Sequence, residues 1–153
     1  YFNYICEFYF GSDSGAWNIS RLFRKPGFLI NCAPVRSMFC MKWIYPSLIQ
    51  KIYDTNEKKT LSISEIVHRN LIRANNGEDL KKKGLQYIKN TDQEILDLAK
   101  EAVNIICHNK WKRDNNYNIK LDRFHKLVFS SDEMRNYRFK NPLEFNYINQ
   151  LQI

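Results

Sequence analysis

The run Gly11-Ser12-Asp13-Ser14-Gly15 gathers glycines, hydroxyls and a carboxylate into one short stretch. Glycine tolerates backbone angles closed to other residues, and serine or aspartate offers an oxygen to the first turn of a helix. A helix start leaves its first N–H groups without intrahelical partners, and the helix dipole adds partial positive charge there. An anion over Ser14 and Gly15 would therefore be held by main chain, with glycine letting it come close. Asn18, Arg21 and Arg24, with Lys25, lie on or just beyond the helix that this loop opens and complete the candidate set. The chemistry on offer is binding of a phosphate. No Ser-His-Asp set, metal cluster or Walker loop can be assembled from the sequence, so no catalytic residue and no metal ligand is assigned. Short glycine loops after strands also occur where nothing binds, and a capped helix in an ordinary α/β protein is the plain alternative.

The elements that would position the loop are legible on both sides of it. Cys6 to Phe10 is short, apolar and aromatic, which suits a strand buried on both faces, as in a parallel sheet. From Ala16 to Arg24, the residues Ala16, Ile19 and Phe23 recur at helical spacing, with Trp17 and Leu22 widening the apolar stripe. Pro26 and Gly27 stop that helix. Phe28 to Cys32 then reads as a second buried strand. The order is β-loop-α-β, with the loop aimed into a helix start.

Phe8, Phe10, the loop itself, Ile19, Leu22-Phe23-Arg24-Lys25-Pro26 and Asn31 together resemble a family of bacterial glycosyltransferases encoded in surface-polysaccharide loci. Its pattern runs from a strand through G-[ST]-[DN]-S-G to a helix ending L-F-R-[KR]-P, then to an apolar strand ending in Asn. The D-S-G-then-P arrangement also resembles the donor-binding domain of heptosyltransferase-like and fucosyltransferase-like enzymes of the GT-B class. The likeness is specific over Cys6 to Pro34, weaker at Leu61–Ile66, Gly84–Ile95 and Phe124, and lacking after Met134. It implies a nucleotide-sugar donor held at Gly11 to Gly15, Asn18, Arg21 and Arg24, a carbohydrate acceptor, and no cofactor. It also implies a first Rossmann-like domain carrying the catalytic base. The chain opens at Tyr1, almost directly into a buried-looking strand, so the expectation is a piece that begins inside the second domain, with the first domain of the same chain as its partner.

The formal net charge is +8, and basic runs occur at Lys81-Lys82-Lys83 and Lys110 to Arg113. Such a surface favours nucleic acid, anionic lipid or phosphorylated substrates. The runs are short and no recognition motif accompanies them, so nucleic acid is not expected; peripheral association with a membrane stays open. Cys6, Cys32, Cys40 and Cys107 show no paired spacing. They are expected as free thiols without metal, in the cytoplasm or at the inner face of its membrane. No apolar run approaches the roughly 20 residues needed to cross a bilayer.

Further along, Pro34 to Lys59 reads poorly. Pro46–Tyr53 is its most helical part. The resemblance puts this region beside the binding cleft, where Lys42-Trp43 could reach a sugar or base, but packing is the favoured role for Trp43. Ser62 to Glu65 has capping-box spacing and opens a helix that fades by Arg73. Glu78 to Lys83 reads as an exposed helical turn and Leu85 to Ile88 as a strand. Thr91 to Glu94 is a second capping box, opening a helix to His108-Asn109. Its apolar stripe is Ile95, Leu98, Ala99, Ala102, Val103 and Ile106, which leaves Asp97 and Glu101 to solvent. Asp114 to Asn118 reads as a loop before an amphipathic helix through Leu121, Phe124, Leu127 and Val128, with His125 on its polar flank. Ser130 to Ile153 reads as an irregular tail.

The reading is α/β: a Rossmann-like partial parallel sheet, the C-terminal half-domain of a GT-B fold, with additional C-terminal helices. Residues 1–110 form the nucleotide-sugar-binding domain and 111–153 a helical extension. The expected function is donor binding in a glycosyltransferase of cell-surface carbohydrate synthesis. The alternative is a non-catalytic module that binds a phosphate, a nucleotide or a partner protein.

Overall fold

Strand β1 (Tyr9–Ser12) lies parallel to β2 (Gly27–Ile30), Tyr9 opposite Gly27 and Ser12 opposite Ile30, with helix α2 (Gly15–Leu22) as the crossover between them. This is the β-loop-α-β unit, seen in a computed structural model that describes residues 2–39, 44–74, 77–111, 113–131, 134, 142–143 and 147–151. On the far side of β2 the chain continues the sheet. Ile44 and Ile49 bridge in parallel to Gly27 and Cys32. Tyr45 N donates to Gly27 O, Leu48 N to Leu29 O, and Gln50 N to Cys32 O, at 2.8, 2.8 and 2.9 Å. Pro46 has no N–H to give. Beside it Ser47 steps in, its Oγ accepting from Leu29 N at 3.0 Å.

The chain then enters a second, antiparallel sheet in the order β4 (Lys59–Thr60), β3 (Lys51–Asp54), β5 (Leu85–Ile88). Around the sheets pack α3 (Ile63–His68), α4 (Gly77–Lys82), α5 (Asp92–His108) and α6 (Asn115–Phe129), with the short α1 (Phe2–Ile5) and α7 (Tyr147–Gln150) near the two ends. Ser62 and Thr91 each form a full capping box, with Glu65 and Glu94, as their spacing requires. A single buried cluster runs from Trp17, Phe28 and Leu29 through Leu48, Ile52 and Leu98 to Phe124, Leu143 and Tyr147. The architecture is thus mixed α/β with a small parallel sheet and several helices.

Several expectations are corrected. The first strand begins at Tyr9, after a helical turn over Phe2–Ile5, and is half-buried along most of its length, because it is paired on one side by β2 alone. Pro46–Tyr53 is extended. Residues 46–49 are buried throughout and burial alternates only from Lys51 onward, so the segment shows no single period to read. α2 buries Trp17 and Ser20 and exposes Ile19, Leu22 and Phe23. The Trp17 ring lies over Gly27, so one large aromatic fixes the helix rotation against the count of smaller apolar residues. α5 is turned likewise: Glu94, Leu98, Glu101, Ala102 and Ile105 face inward and Val103 outward. Glu101 is therefore buried, and Asp97 is half-buried, accepting from Gln93 Nε2 at 2.8 Å. Asp114 begins a helix and does not sit in a loop, its carboxylate accepting from Tyr117 N at 2.7 Å. His125 is buried among the rings of Phe39, Phe124 and Phe129. Cys32 and Cys107 carry free thiols; Cys40, Lys42 and Trp43 lie outside the described residues.

Candidate functional site

Gly11 and Ser12 are strand residues, so the turn is narrower than the sequence suggests and consists of Asp13 and Ser14. Gly11 has a local task. A Cβ there would stand 2.8 Å from the Tyr9 hydroxyl oxygen, which folds over it to donate to Ser12 O at 2.9 Å. Ser14 holds extended backbone at the N-cap of α2, yet its side chain makes no capping bond. Its Oγ lies 3.3 Å from the Tyr9 hydroxyl instead. The contrast with α3, α5 and α6 is clear, since each of those starts is closed by a side-chain oxygen. Nor does α2 carry an acidic residue in its first turn. Its N–H groups and dipole are thus left without a side-chain counterpart of its own. Above Gly15 the surface is open: an added Cβ would meet nothing within 4 Å, and the residue is not held in the left-handed region.

The candidate cations are elsewhere. Arg21 closes the last turn of α2, and Arg24 follows it with a φ of 54°. Six residues of helix separate Gly15 from Arg21, about 9 Å at the usual rise. Asn18 lies one turn in, exposed, its N–H bonded to Ser14 O at 3.3 Å. The structure therefore brings together Asp13, Ser14 and Gly15 with Ser12 beside them, and sets Arg21 and Arg24 at the opposite end of the helix.

A second group at the carboxyl end of the parallel sheet went unread in the sequence. Asn31 and Asn90 exchange bonds, each backbone N–H donating to the other's Oδ1 at 2.7 Å. Asn90 Nδ2 also donates to Ile49 O at 3.0 Å. These contacts draw the start of α5 up beside the ends of β2 and of the 44–50 segment. Asn31 takes a φ of 52°, which asparagine tolerates better than most residues. That gives the strand-ending Asn of the sequence pattern a structural task. Lys51 pairs with Glu94 at 2.7 Å at the same helix start. Burial pushes the Glu94 carboxyl up, but the bonds from Lys51 and the Thr91 amide outweigh it and hold the net pKa down. Burial also pushes the Cys32 thiol well up, and the Asp13 carboxylate acts in the same direction. No spacing in the sequence links Asn31 to Asn90, whose contact spans the chain between them.

Recesses of ≈ 290 and ≈ 230 Å³ occur at Asn70, Arg73, Asp79 and Lys83 and at Lys51, Thr60 and Gln150; neither is lined by a residue of the loop. Among the described residues no group of His, Cys, Asp and Glu could hold a metal ion, and no helix is long and apolar enough to cross a membrane. Compared with known proteins, the chain matches no family model, no curated protein and no solved structure.

Proposed function

We propose that the start of α2 binds the diphosphate of a nucleotide-sugar donor, and that the protein serves glycosyl transfer in the synthesis of a cell-surface carbohydrate. The observation that carries this reading is the helix start without a side-chain cap at Ser14-Gly15, open to solvent, at the carboxyl end of paired parallel strands. Ligands of open α/β sheets bind at that end. The chemistry follows from charge. As the glycosidic bond to the donor breaks, negative charge grows on the leaving nucleoside diphosphate, and N–H groups already aimed at it stabilise the transition state more than the ground state. Asp13 is a poor neighbour for phosphate, since like charges in a partly buried site oppose one another. Its carboxylate suits hydroxyls of the ribose or the sugar.

Calorimetric titration of the protein with a panel of nucleoside diphosphates and their sugars tests the proposal. Wild type binds at least one of them, and Gly15→Asp, which puts a carboxylate where the ligand's charge must sit, weakens it by about tenfold or more. The substitution leaves the fold intact, because the site is open and helix starts accept Asp. Asp13→Asn keeps the shape and removes only the charge; weaker binding there assigns Asp13 to the hydroxyls. No binding by wild type, or equal binding by Gly15→Asp, overturns the assignment.

A further inference from the structure

Exposed large apolar side chains concentrate at one place among the described residues. Tyr4 and Ile5 on α1, and Ile19, Leu22 and Phe23 on α2 and its closing residue, are 63, 50, 47, 77 and 46 % exposed, with Phe2 at 82 % beside them. The others are spread over α5, α6 and the link between them. The concentration is one surface, because the Tyr4 and Phe23 rings meet edge to face at 5.6 Å and join α1 to the end of α2. Scattered apolar residues need no explanation, whereas a contiguous patch does. Two features choose its occupant. Side chains this exposed stand out from the surface, as insertion into a soft layer requires. Arg21, Arg24 and Lys25 adjoin Leu22 and Phe23 in the chain, and α2 carries no carboxylate of its own. Aromatic and aliphatic side chains rimmed by cations match the boundary of an anionic bilayer, where rings sit at headgroup depth and each cation adds attraction.

We infer that the α1–α2 face docks the protein on an anionic membrane surface. Leu22 and Phe23, with α1, lie at the C-terminal end of α2, about 12 Å along the axis from Ser14, while Ile19, the member nearest the site, is about 6 Å from Gly15. Docking through the C-terminal end of the helix is read out by lipid binding, so the inference is tested separately from the proposed donor binding.

Co-sedimentation of the protein with vesicles of phosphatidylcholine, alone or with about 30 mol% phosphatidylglycerol, reads it out. Wild type partitions about tenfold or more in favour of the anionic vesicles, and added salt lowers that preference. The paired change Leu22→Ser with Phe23→Ser lowers partitioning about tenfold on either lipid. Changing Arg21, Arg24 and Lys25 together to Gln abolishes the preference for anionic lipid but keeps the weak residual binding. Leu22 and Phe23 are exposed, so an unchanged circular dichroism spectrum accompanies these losses. Gly15→Asp sediments as wild type does, which separates this test from nucleotide binding. The inference is overturned if wild type stays in the supernatant, or if the Leu22/Phe23 variant sediments like wild type. It is equally overturned if light scattering without lipid shows a dimer that this variant breaks, since a second copy would then cover the face.

Discussion

At the scale of single residues, the contact that fixes the crossover is Trp17 on Gly27. A Cβ at Gly27 would run into the ring carbons Cζ3 and Cη2 of Trp17, and Trp17 is fully buried with its indole Nε1 lacking an acceptor. Helix α2 thus sits on β2 through a ring that fits because one strand residue has no side chain. Gly27→Ala overpacks this spot and is expected to cost about 1–3 kcal/mol. Trp17→Phe gives up ring area but also removes the unsatisfied donor, whose burial itself costs about 1–3 kcal/mol. A phenyl ring does not reach as far, so the cost of Gly27→Ala should shrink in the Trp17→Phe background. Urea midpoints of the four proteins measure this coupling; additive costs would mean that the ring does not press on Gly27.

At the scale of elements, α3 is tied to the β3–β4 hairpin by charge. Arg69 Nη1 meets Asp54 at 2.7 Å and Arg69 Nη2 meets Glu57 at 2.8 Å, while Lys59 meets Glu65 at 2.7 Å. Lys59 foremost, then the Ser62 amide, holds the Glu65 carboxyl down at about 2. The Glu57 amide and then Arg69 lower Asp54, and Lys59 with Arg69 lowers Glu57. A carboxylate held below its unfolded value gives stability that is complete above the ordinary carboxylate range and lost as pH falls through the folded value. Urea midpoints should therefore decline from about pH 4.5 towards pH 2. The paired variant Lys59→Gln, Arg69→Gln should decline less steeply, and added salt should shrink the difference. An equal slope in both proteins would leave this cluster without a part in acid stability. Ser62→Ala, which opens the capping box at the same helix, is expected to cost about 1 kcal/mol by the same measurement.

The elements that the sequence discloses are those closed locally. Ser62 and Thr91 announce α3 and α5 because a capping box is complete within four residues, and Pro26 bars α2 from running on, although the chain already leaves the helix at Phe23 and Arg24. The rotation of α2 and α5 was not legible, because Gly27 and Lys51, which decide it, lie on other elements. For the candidate site, the helix start at Ser14-Gly15 follows from the turn residues. The distance of Arg21 and Arg24 was legible too, because the same reading starts the helix at Ala16, one residue from its observed start at Gly15. Asn31 with Asn90 is a contact between distant parts of the chain and leaves no local trace.

At the scale of the whole molecule, the residues after α5 belong to the same core as those before it. α6 packs against α3, and Tyr117 donates to Leu143 O at 2.8 Å. Tyr147, fully buried, donates to Ile49 O at 2.6 Å across 98 positions of chain, with the Lys51 ammonium 5.3 Å above its ring. Ile49 O is the carbonyl that also receives Asn90 Nδ2, so the tail fastens to the point where the parallel segment, β5 and the start of α5 converge. Two consequences can be separated. Tyr147→Phe removes the hydroxyl's bond to Ile49 O but leaves that carbonyl satisfied by Asn90, so its cost should stay near ~1 kcal/mol. Tyr147→Ala empties a buried site and should cost about 3–5 kcal/mol. Because that site is shared, the loss should unfold the chain as one unit. Fluorescence, whose three emitters Trp17, Trp43 and Trp111 all precede α6, and far-ultraviolet circular dichroism, which reports all helices, should give coincident urea transitions in wild type and in Tyr147→Ala. A Tyr147→Ala protein whose helices melt in two steps, the fluorescence transition staying at its wild-type midpoint, would show instead that residues 1–110 hold their fold without the tail.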